Sequence, residues 1–222
     1  MTVTKRIRLL MASLRVTPPG IGPDRLVCIS AFVACISWLG IAGAATADPL
    51  HDAAREGDAA KVAALLTQGA DGNSRDESRE TPLIDAALGG QTAVAEALIK
   101  ANADIEARND RGFTALHAAA YSGSVEIAKL LLDDGAEVDA LSMHKITPLH
   151  VAAEENQVAI AELLIARGAQ LEAIQEYGFT PLTRATFFQS AQVMVLLKKH
   201  GAKCQPREKM GAAYPDCLAA GN

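Results

Sequence analysis

Three histidines end similar tetrapeptides, and they are the first side chains in this sequence that could do chemistry. His51 ends Asp-Pro-Leu-His, His117 ends Thr-Ala-Leu-His and His150 ends Thr-Pro-Leu-His. Imidazole binds metal ions and transfers protons near neutral pH. If each tetrapeptide begins a helix, neighbouring helices lie ~8 to 10 Å apart, whereas each ligand of a zinc ion lies within ~2.1 Å of it. The spacing therefore predicts neither a shared metal site nor a catalytic site at these histidines.

Two of the four cysteines, Cys204 and Cys217, form a pair near the C-terminus, whereas Cys28 and Cys35 lie in an apolar segment near the N-terminus. In an oxidising compartment such a pair predicts one disulfide, which would stabilise the fold by roughly 3 kcal/mol. Two free, buried thiols are the alternative. Because there is no second cysteine pair, the pair is not typical of a zinc site.

Other chemical motifs are missing from the sequence. The segment 71–76 offers oxygen ligands, but Arg75 stands where a calcium loop needs a third acid, and no glycine follows it, so we expect a solvated loop. The nucleophile-elbow, zinc-protease and P-loop patterns do not occur. We therefore expect no enzyme activity and no cofactor.

The first 47 residues differ from the rest and have the order of a secretory signal peptide. An uncharged, apolar run spans 26–45, and Ala45-Thr46-Ala47 directly precedes Asp48. The basic residues before the run are Lys5, Arg6, Arg8, Arg15 and Arg25. This order predicts cleavage after Ala47 and a periplasmic or secreted protein. An uncleaved anchor at 26–45, with the rest outside the cytoplasm, is the alternative, and Met11 is an alternative start.

Composition and charge narrow the class of protein. The chain has 222 residues, of which 50% are hydrophobic and only 4% aromatic, as expected for one folded, all-α domain. Without residues 1–47, 16 basic and 25 acidic residues remain, a net charge of −9. An acidic surface repels phosphate and argues against a nucleic-acid partner. We expect a monomer that does not bind membrane once the leader is removed.

A repeat of 33 residues organises everything after the leader. The threonines Thr81, Thr114, Thr147 and Thr180 each begin a Thr-Pro-Leu or Thr-Ala-Leu segment at that spacing, and the same step back from Thr81 reaches Asp48. The apolar run therefore stops where the first repeat begins. We number the predicted repeats as units 1 to 5, with the bounds 48–80, 81–113, 114–146, 147–179 and 180–206, followed by a tail at 207–222.

Each unit has the pattern of two short helices. Thr or Asp followed by Pro is typical of an N-cap and the first helical position. Gly57, Gly90, Gly123 and Asn156 fall where the chain must turn back, and Gln189 departs from this pattern. A second amphipathic helix, such as 125–133, follows. Helices this short are unstable alone in water, so the units must stack.

The Thr-Pro-Leu-His motif, the Leu-Leu-x-x-Gly-Ala block and the period of 33 residues resemble the ankyrin-repeat family over residues 48–206. The resemblance implies an all-α solenoid of helix pairs with β-hairpin-like loops, and a partner protein held on the concave surface. It also implies structural roles at the motif positions, where the histidine supports the turn by hydrogen bonds to the threonine and nearby backbone. These structural residues are His51, His117, His150, Thr81, Thr114, Thr147 and Thr180.

Residues that the scaffold does not need are the candidates for partner binding, above all aromatic and arginine side chains on the concave face. The candidates are Arg111, Tyr121, Met143, His144, Tyr177, Arg184, Phe187 and Phe188. Phe113 and Phe179 could serve equally well as packing against an adjacent loop. His144 is interpreted as a surface histidine without a partner visible in the sequence.

The tail should cap the last unit. Val195 occupies a column that holds Glu96, Lys129 and Glu162 in other units, so an apolar side chain stands where the pattern is polar. We expect the tail to cover Val195 and the disulfide to pin the tail there.

Two functions remain open from the sequence. The first is a non-enzymatic scaffold of the bacterial periplasm or envelope that holds a partner protein. The second is an accessory protein that binds a metal or small molecule in the loops around 71–80 or His144.

Overall fold

The computed structural model describes residues 48–220, so the leader and its predicted cleavage site up to Ala47 lie outside the described residues. Within this part of the chain the regular structure is entirely helical. The first helices of the units are α1 (Pro49–Glu56), α3 (Pro82–Gly89), α5 (Ala115–Ser122), α7 (Pro148–Glu154) and α9 (Pro181–Phe187). The second helices are α2 (Ala59–Thr67), α4 (Thr92–Lys100), α6 (Val125–Asp133), α8 (Val158–Ala166) and α10 (Ala191–Lys199).

The first helices begin where the sequence supplies a cap. The Thr81 hydroxyl accepts a hydrogen bond from the Ile84 N–H at 3.3 Å, and the Asp48 carboxylate accepts one from the Leu50 N–H at 2.9 Å. Proline then takes the first helical position in four of these helices, where its missing N–H costs no hydrogen bond. Ala115 takes that position in α5.

The turn between the two helices of a unit uses a left-handed residue. Gly57 has a φ of 79°, and a Cβ at this glycine would lie 2.3 Å from Oε1 of Gln91 in the next unit. Gln189, which breaks the glycine pattern, has a φ of 57° and so adopts the same conformation. The chain therefore makes the same turn in unit 5, but with the backbone strain that a left-handed conformation imposes on a residue other than glycine.

The helix pairs stack in chain order. First helix contacts first helix from α1 to α9, and second helix contacts second helix from α2 to α10. The apolar core runs through the stack as columns of equivalent residues. The leucine column Leu50, Leu83, Leu116, Leu149 and Leu182 and the alanine column Ala53, Ala86, Ala119, Ala152 and Ala185 are fully buried. Small alanine side chains let neighbouring helices approach closely, which explains how so few aromatic residues suffice.

The loops between units are tied together at their tips. The N–H of Met143 donates to the carbonyl of Arg111, and the N–H of Glu176 donates to the carbonyl of His144, each at 3.0 Å. Within a loop, the Ser142 N–H donates to the Ile146 carbonyl at 3.0 Å and closes a hairpin-like turn. Adjacent loops therefore form one hydrogen-bonded edge along the solenoid.

The C-terminal tail packs on unit 5 as a short α11 (Arg207–Met210), a 3-10 turn (Gly211–Ala213) and α12 (Tyr214–Ala219). The predicted disulfide joins Cys204 to Cys217, and both Cys217 and Met210 are buried. The expectation that the tail covers Val195 is wrong, because this side chain is 45% exposed. α12 packs on α9 and leaves an open groove beside α10.

No helix in residues 48–220 combines the length and the apolar character that a membrane crossing requires.

Candidate interaction surface

Four large apolar side chains project from the loops of units 3 and 4. Met143 is 70% exposed, Ile174 57%, Leu141 48% and Tyr177 40%. We call these four residues the loop-tip patch. The polar residues between them, Ser142 and Gln175, point inward and are buried. This alternation presents an apolar surface to solvent while the polar side chains stabilise the loops.

In the equivalent loops of units 1 and 2, arginine occupies the repeat position that Leu141 and Ile174 occupy in units 3 and 4. The Arg75 guanidinium donates to the backbone carbonyl of Arg108 at 2.6 Å, and the Arg108 guanidinium donates to the carbonyl of Leu141. Leu141 and Ile174 occupy this column in units 3 and 4. Because an aliphatic side chain cannot donate a hydrogen bond, it cannot link one loop to the next in this way. These two leucine-sized side chains therefore add little to the scaffold and expose apolar surface.

His144 has partners that its local sequence did not reveal. Its Nδ1 lies 2.6 Å from Oε2 of Glu176, and its ring stacks on Tyr177 with the ring centroids 6.2 Å apart. Both partners come from the next unit, close to one repeat length away. The interpretation of His144 as a lone surface histidine is therefore wrong, and the residue helps to hold the patch in place.

The inner face of units 4 and 5 carries a shielded ion pair. The Arg184 guanidinium, with its side chain 15% exposed, pairs with the Glu154 carboxylate, which is 9% exposed. The same guanidinium lies 5.6 Å from the centre of the Phe188 ring. Phe187 is half-buried, with its ring 5.2 Å from that of Phe179. Of the candidates on α9 and its end, Phe188 is thus the exposed one, whereas Arg184 and Phe187 are held by neighbouring units.

Glu155 and Tyr121 lie on the same inner face. Glu155 is exposed as a residue, but partial burial of its carboxylate and the negative charge of Glu154 raise its pKa to about 7. Burial and the charges of Glu155 and Glu154 raise the pKa of the half-buried Tyr121. The two carboxylates share one neighbouring guanidinium, so this part of the face has a surplus of negative charge.

A second charged cluster joins units 1 and 2. Nδ1 of His51 lies 2.6 Å from Oδ2 of Asp85, and Nε2 lies 3.3 Å from the Ser74 carbonyl oxygen. The Arg55 guanidinium bridges Asp85 at 2.9 Å and Asp76 at 2.7 Å. His51 therefore differs from the expected histidine–threonine arrangement, because unit 1 has Asp48 as its cap.

The electrostatics of this cluster follow from its burial. Burial by itself lowers the pKa of His51, but the hydrogen bond and charge of Asp85 outweigh it, so the pKa is raised. Burial and the charges of Asp85 and Asp76 raise the pKa of Glu80 to about 7. Ligand atoms of His51, Asp76 and Asp85 lie within 4.8 Å of one another, a spacing that a metal ion could use. The bridging guanidinium of Arg55 already supplies a cation to both carboxylates.

His117 and His150 make the hydrogen bonds of neutral histidines. Nδ1 of His117 accepts from the Thr114 N–H at 3.2 Å, and Nε2 lies 2.9 Å from the Ile146 carbonyl oxygen. His150 repeats this arrangement with Thr147 and Phe179. Burial lowers the pKa of each histidine to about 4. Each one therefore links the cap of its helix to the loop that follows, and both rings are enclosed by the fold.

The remaining candidates divide between the surface and the interior. Arg111 is half-buried at a loop tip, where its carbonyl accepts the hydrogen bond from Met143. Phe113 is buried and packs edge-on against His117 at 5.0 Å. Leu141 and Ile174 complete the loop-tip patch, and their signal in the sequence was the change from arginine to an aliphatic residue in one column.

Stacked helix pairs with an apolar spine and hydrogen-bonded loops define a repeat solenoid. Comparison with family models gives a match to the family described as ankyrin repeats in three copies, over residues 50–142 and 141–208. The chain belongs to the ankyrin-repeat family, whose members generally bind other proteins. A comparison with curated proteins gave no match.

Proposed function

We propose that this protein is a non-enzymatic scaffold of the bacterial periplasm or cell envelope that holds a partner protein through the loop-tip patch and the adjoining inner face. The exposure of four large apolar side chains on two adjacent loops carries this proposal. Single exposed apolar residues are common on protein surfaces, whereas several exposed together usually mark an interaction site. Met143, Tyr177 and Phe188 are the anchors that we expect to contribute most to affinity.

The location is part of the proposal and rests on the leader. A basic segment, an apolar run at 26–45 and Ala45-Thr46-Ala47 are what export requires. The disulfide between Cys204 and Cys217 supports an oxidising compartment. Determining the N-terminal residue and mass of the protein isolated from the envelope distinguishes cleavage after Ala47 from an uncleaved anchor.

Crosslinking in the native envelope, followed by identification of the captured proteins, tests the scaffold. We expect Met143→Ser/Tyr177→Ser to lose the capture of one defined partner, because two anchors of a hot spot are removed, with each contributing about 2 kcal/mol. Val195→Ser and Leu218→Ser are matched controls, since both replace exposed apolar residues away from the patch. Equal capture by all variants would rule out the loop-tip patch as the binding surface.

A second candidate function is the binding of a divalent metal ion at His51, Asp76 and Asp85, which the 4.8 Å clustering of their ligand atoms favours. A metal would have to displace Arg55 from both carboxylates, at the cost of two charge-assisted hydrogen bonds. Calorimetric titration with Zn²⁺ and with Ca²⁺ separates the two functions. The scaffold proposal expects no binding heat, and saturable heat that His51→Ala removes would establish the metal site instead.

A further inference from the structure

The inner face of units 3 to 5 has an unbalanced charge at one position. Glu154 and Arg184 form a mutual pair with little exposure, and the Arg184 guanidinium also rests on the Phe188 ring. None of the ion pairs found within residues 48–220 includes Glu155. Among residues 48–220, Arg184 is the cation that lowers the pKa of Glu155, and it is already paired with Glu154. Glu155 is an exposed residue and offers its carboxylate, outside any of these ion pairs, to a group that enters the concave face.

Aromatic rings flank this carboxylate on both sides of the stack. Phe188 is the residue equivalent to Glu155 in unit 5, one repeat length further along the chain, and it is 37% exposed. Tyr121 lies one unit earlier, close enough to Glu155 for the negative charge of Glu155 to help raise the pKa of the Tyr121 hydroxyl, together with burial. Neighbouring helices in such a stack lie ~8 to 10 Å apart. Tyr121 and Phe188 are two such spacings apart with Glu155 between them, so a basic side chain whose charge meets Glu155 could pack its aliphatic part on one of the two rings.

We propose that this inner face recognises a positively charged segment of the partner protein, with a lysine or arginine side chain seated at Glu155 between Tyr121 and Phe188. This inference rests on the proposed function and specifies the chemistry of the partner. Charge complementarity supports it, because the chain after residue 47 has a net charge of −9, which attracts a basic partner and repels an acidic one. Aromatic faces beside a carboxylate are suited to a cation, and Arg184 over Phe188 shows the same contact within the molecule.

The ionisation of Glu155 gives the interaction a pH dependence. Partial burial of the carboxylate and the charge of Glu154 raise the pKa of Glu155 to about 7, so its charge develops between about pH 6 and 8. The charged groups facing it are Glu154 at the end of α7 and Arg184 on α9, and the Tyr121 hydroxyl on α5 faces it as a titratable but neutral group. A cation bound at Glu155 favours the carboxylate, and therefore binding tightens as the pH rises through this range.

Selection from a random peptide library displayed on phage tests the inference with the full chain as bait. The baits are the unchanged protein, Glu155→Gln and, as a control for the charge change, Glu162→Gln, which alters an exposed residue on the outer helix of the same unit. We expect peptides rich in lysine and arginine from the unchanged protein. Their affinity should fall about three- to fivefold with Glu155→Gln, within the range of exposed charge pairs, and less than twofold with Glu162→Gln. Binding to the unchanged protein, but not to Glu155→Gln, should tighten from pH 6 to 8.

The outcomes separate this inference from the scaffold proposal. Enrichment of neutral or acidic peptides, equal effects of the two glutamine variants, or no enrichment at all would overturn recognition of a basic segment. Suppose that neutral peptides are enriched and that they do not bind the Met143→Ser/Tyr177→Ser variant. The loop-tip patch is then the partner-binding surface, and only the preference for a basic segment is wrong. If binding depends on none of these residues, both proposals fail.

Discussion

Breaking the bond between Cys204 and Cys217 should loosen the C-terminal end of the solenoid and leave the N-terminal end intact. The two cysteines are 13 residues apart in the sequence, and closing a loop of this size stabilises by about 3 kcal/mol in the chain-entropy model. That free energy corresponds to a change of about 100-fold in an opening equilibrium. Because each unit of a solenoid contacts only its neighbours, the loss should be confined to the tail and unit 5, where Met210 and Cys217 are buried.

Hydrogen exchange followed by mass spectrometry measures this loss segment by segment. With reductant, amides in α9, α10 and α12 should lose up to about 100-fold protection, while those in α1 and α3 keep theirs. Cys204→Ser serves as a second variant, since Cys204 is less buried than Cys217 and its replacement leaves no new hydroxyl in the core. Unchanged exchange in unit 5, or an equal loss in all units, would refute the capping role of the tail.

Three further predictions concern stability. Ala115→Pro should raise the free energy of unfolding by about 0.4 to 1 kcal/mol, because Ala115 is the first residue of α5 and follows an extended Thr114. Chemical denaturation at pH 7 measures this change, and a loss of stability would contradict the prediction. Acidification from pH 6.5 to about 4 should destabilise the fold, because burial lowers the pKa of His117 to about 4 and only the unfolded chain takes up the proton in this range. His117→Gln should lower stability at pH 7 yet show a weaker dependence on pH, and an unaltered dependence would exclude His117 as its source. Glu80→Gln should raise the melting temperature at pH 8 but not at pH 4.5. Burial raises the pKa of Glu80 to about 7, so its ionisation above that pH lowers the stability of the folded protein. Equal melting temperatures of the two proteins at pH 8 would contradict this reasoning.

Much of the fold could be predicted because each column of the repeat reports the same local environment several times. Thr81 and its equivalents mark the helix starts, and the structure begins α3 directly after Thr81. Gln189 shows the limit of this reasoning: its residue type argued against a left-handed turn, but the packing of unit 5 imposes one. Val195 shows another limit, since an apolar residue in a polar column indicated a covered position and only the placement of α12 on α9 decided otherwise.

The contacts that the sequence analysis missed join different columns of neighbouring units. Arg55 pairs with Asp85, and Glu154 pairs with Arg184, in both cases with a separation of 30 residues. The eighth position of one unit therefore contacts the fifth position of the next. In the first pair the eighth position holds the cation, and in the second pair it holds the anion. The intervening pairs of positions hold Leu88 with Ala118 and Tyr121 with Val151, which are uncharged. Comparing equivalent residues 33 apart could not reveal these pairs, whereas comparing the eighth position of each unit with the fifth position of the next shows opposite charges in both cases where the two positions are charged.

That rule also explains why Glu155 stands out. It occupies the ninth position, next to the eighth-position Glu154 that Arg184 neutralises, and the ninth position of unit 5 holds Phe188 rather than a cation. Glu154 is neutralised by Arg184, whereas the adjacent carboxylate of Glu155 adds no stability to the fold. The raised pKa of Glu155 indicates that its ionisation is disfavoured in the folded protein. Glu155→Gln should accordingly stabilise the free protein at pH 8 while it weakens binding of a basic peptide. A variant that lost both stability and binding would instead show that Glu155 serves the fold.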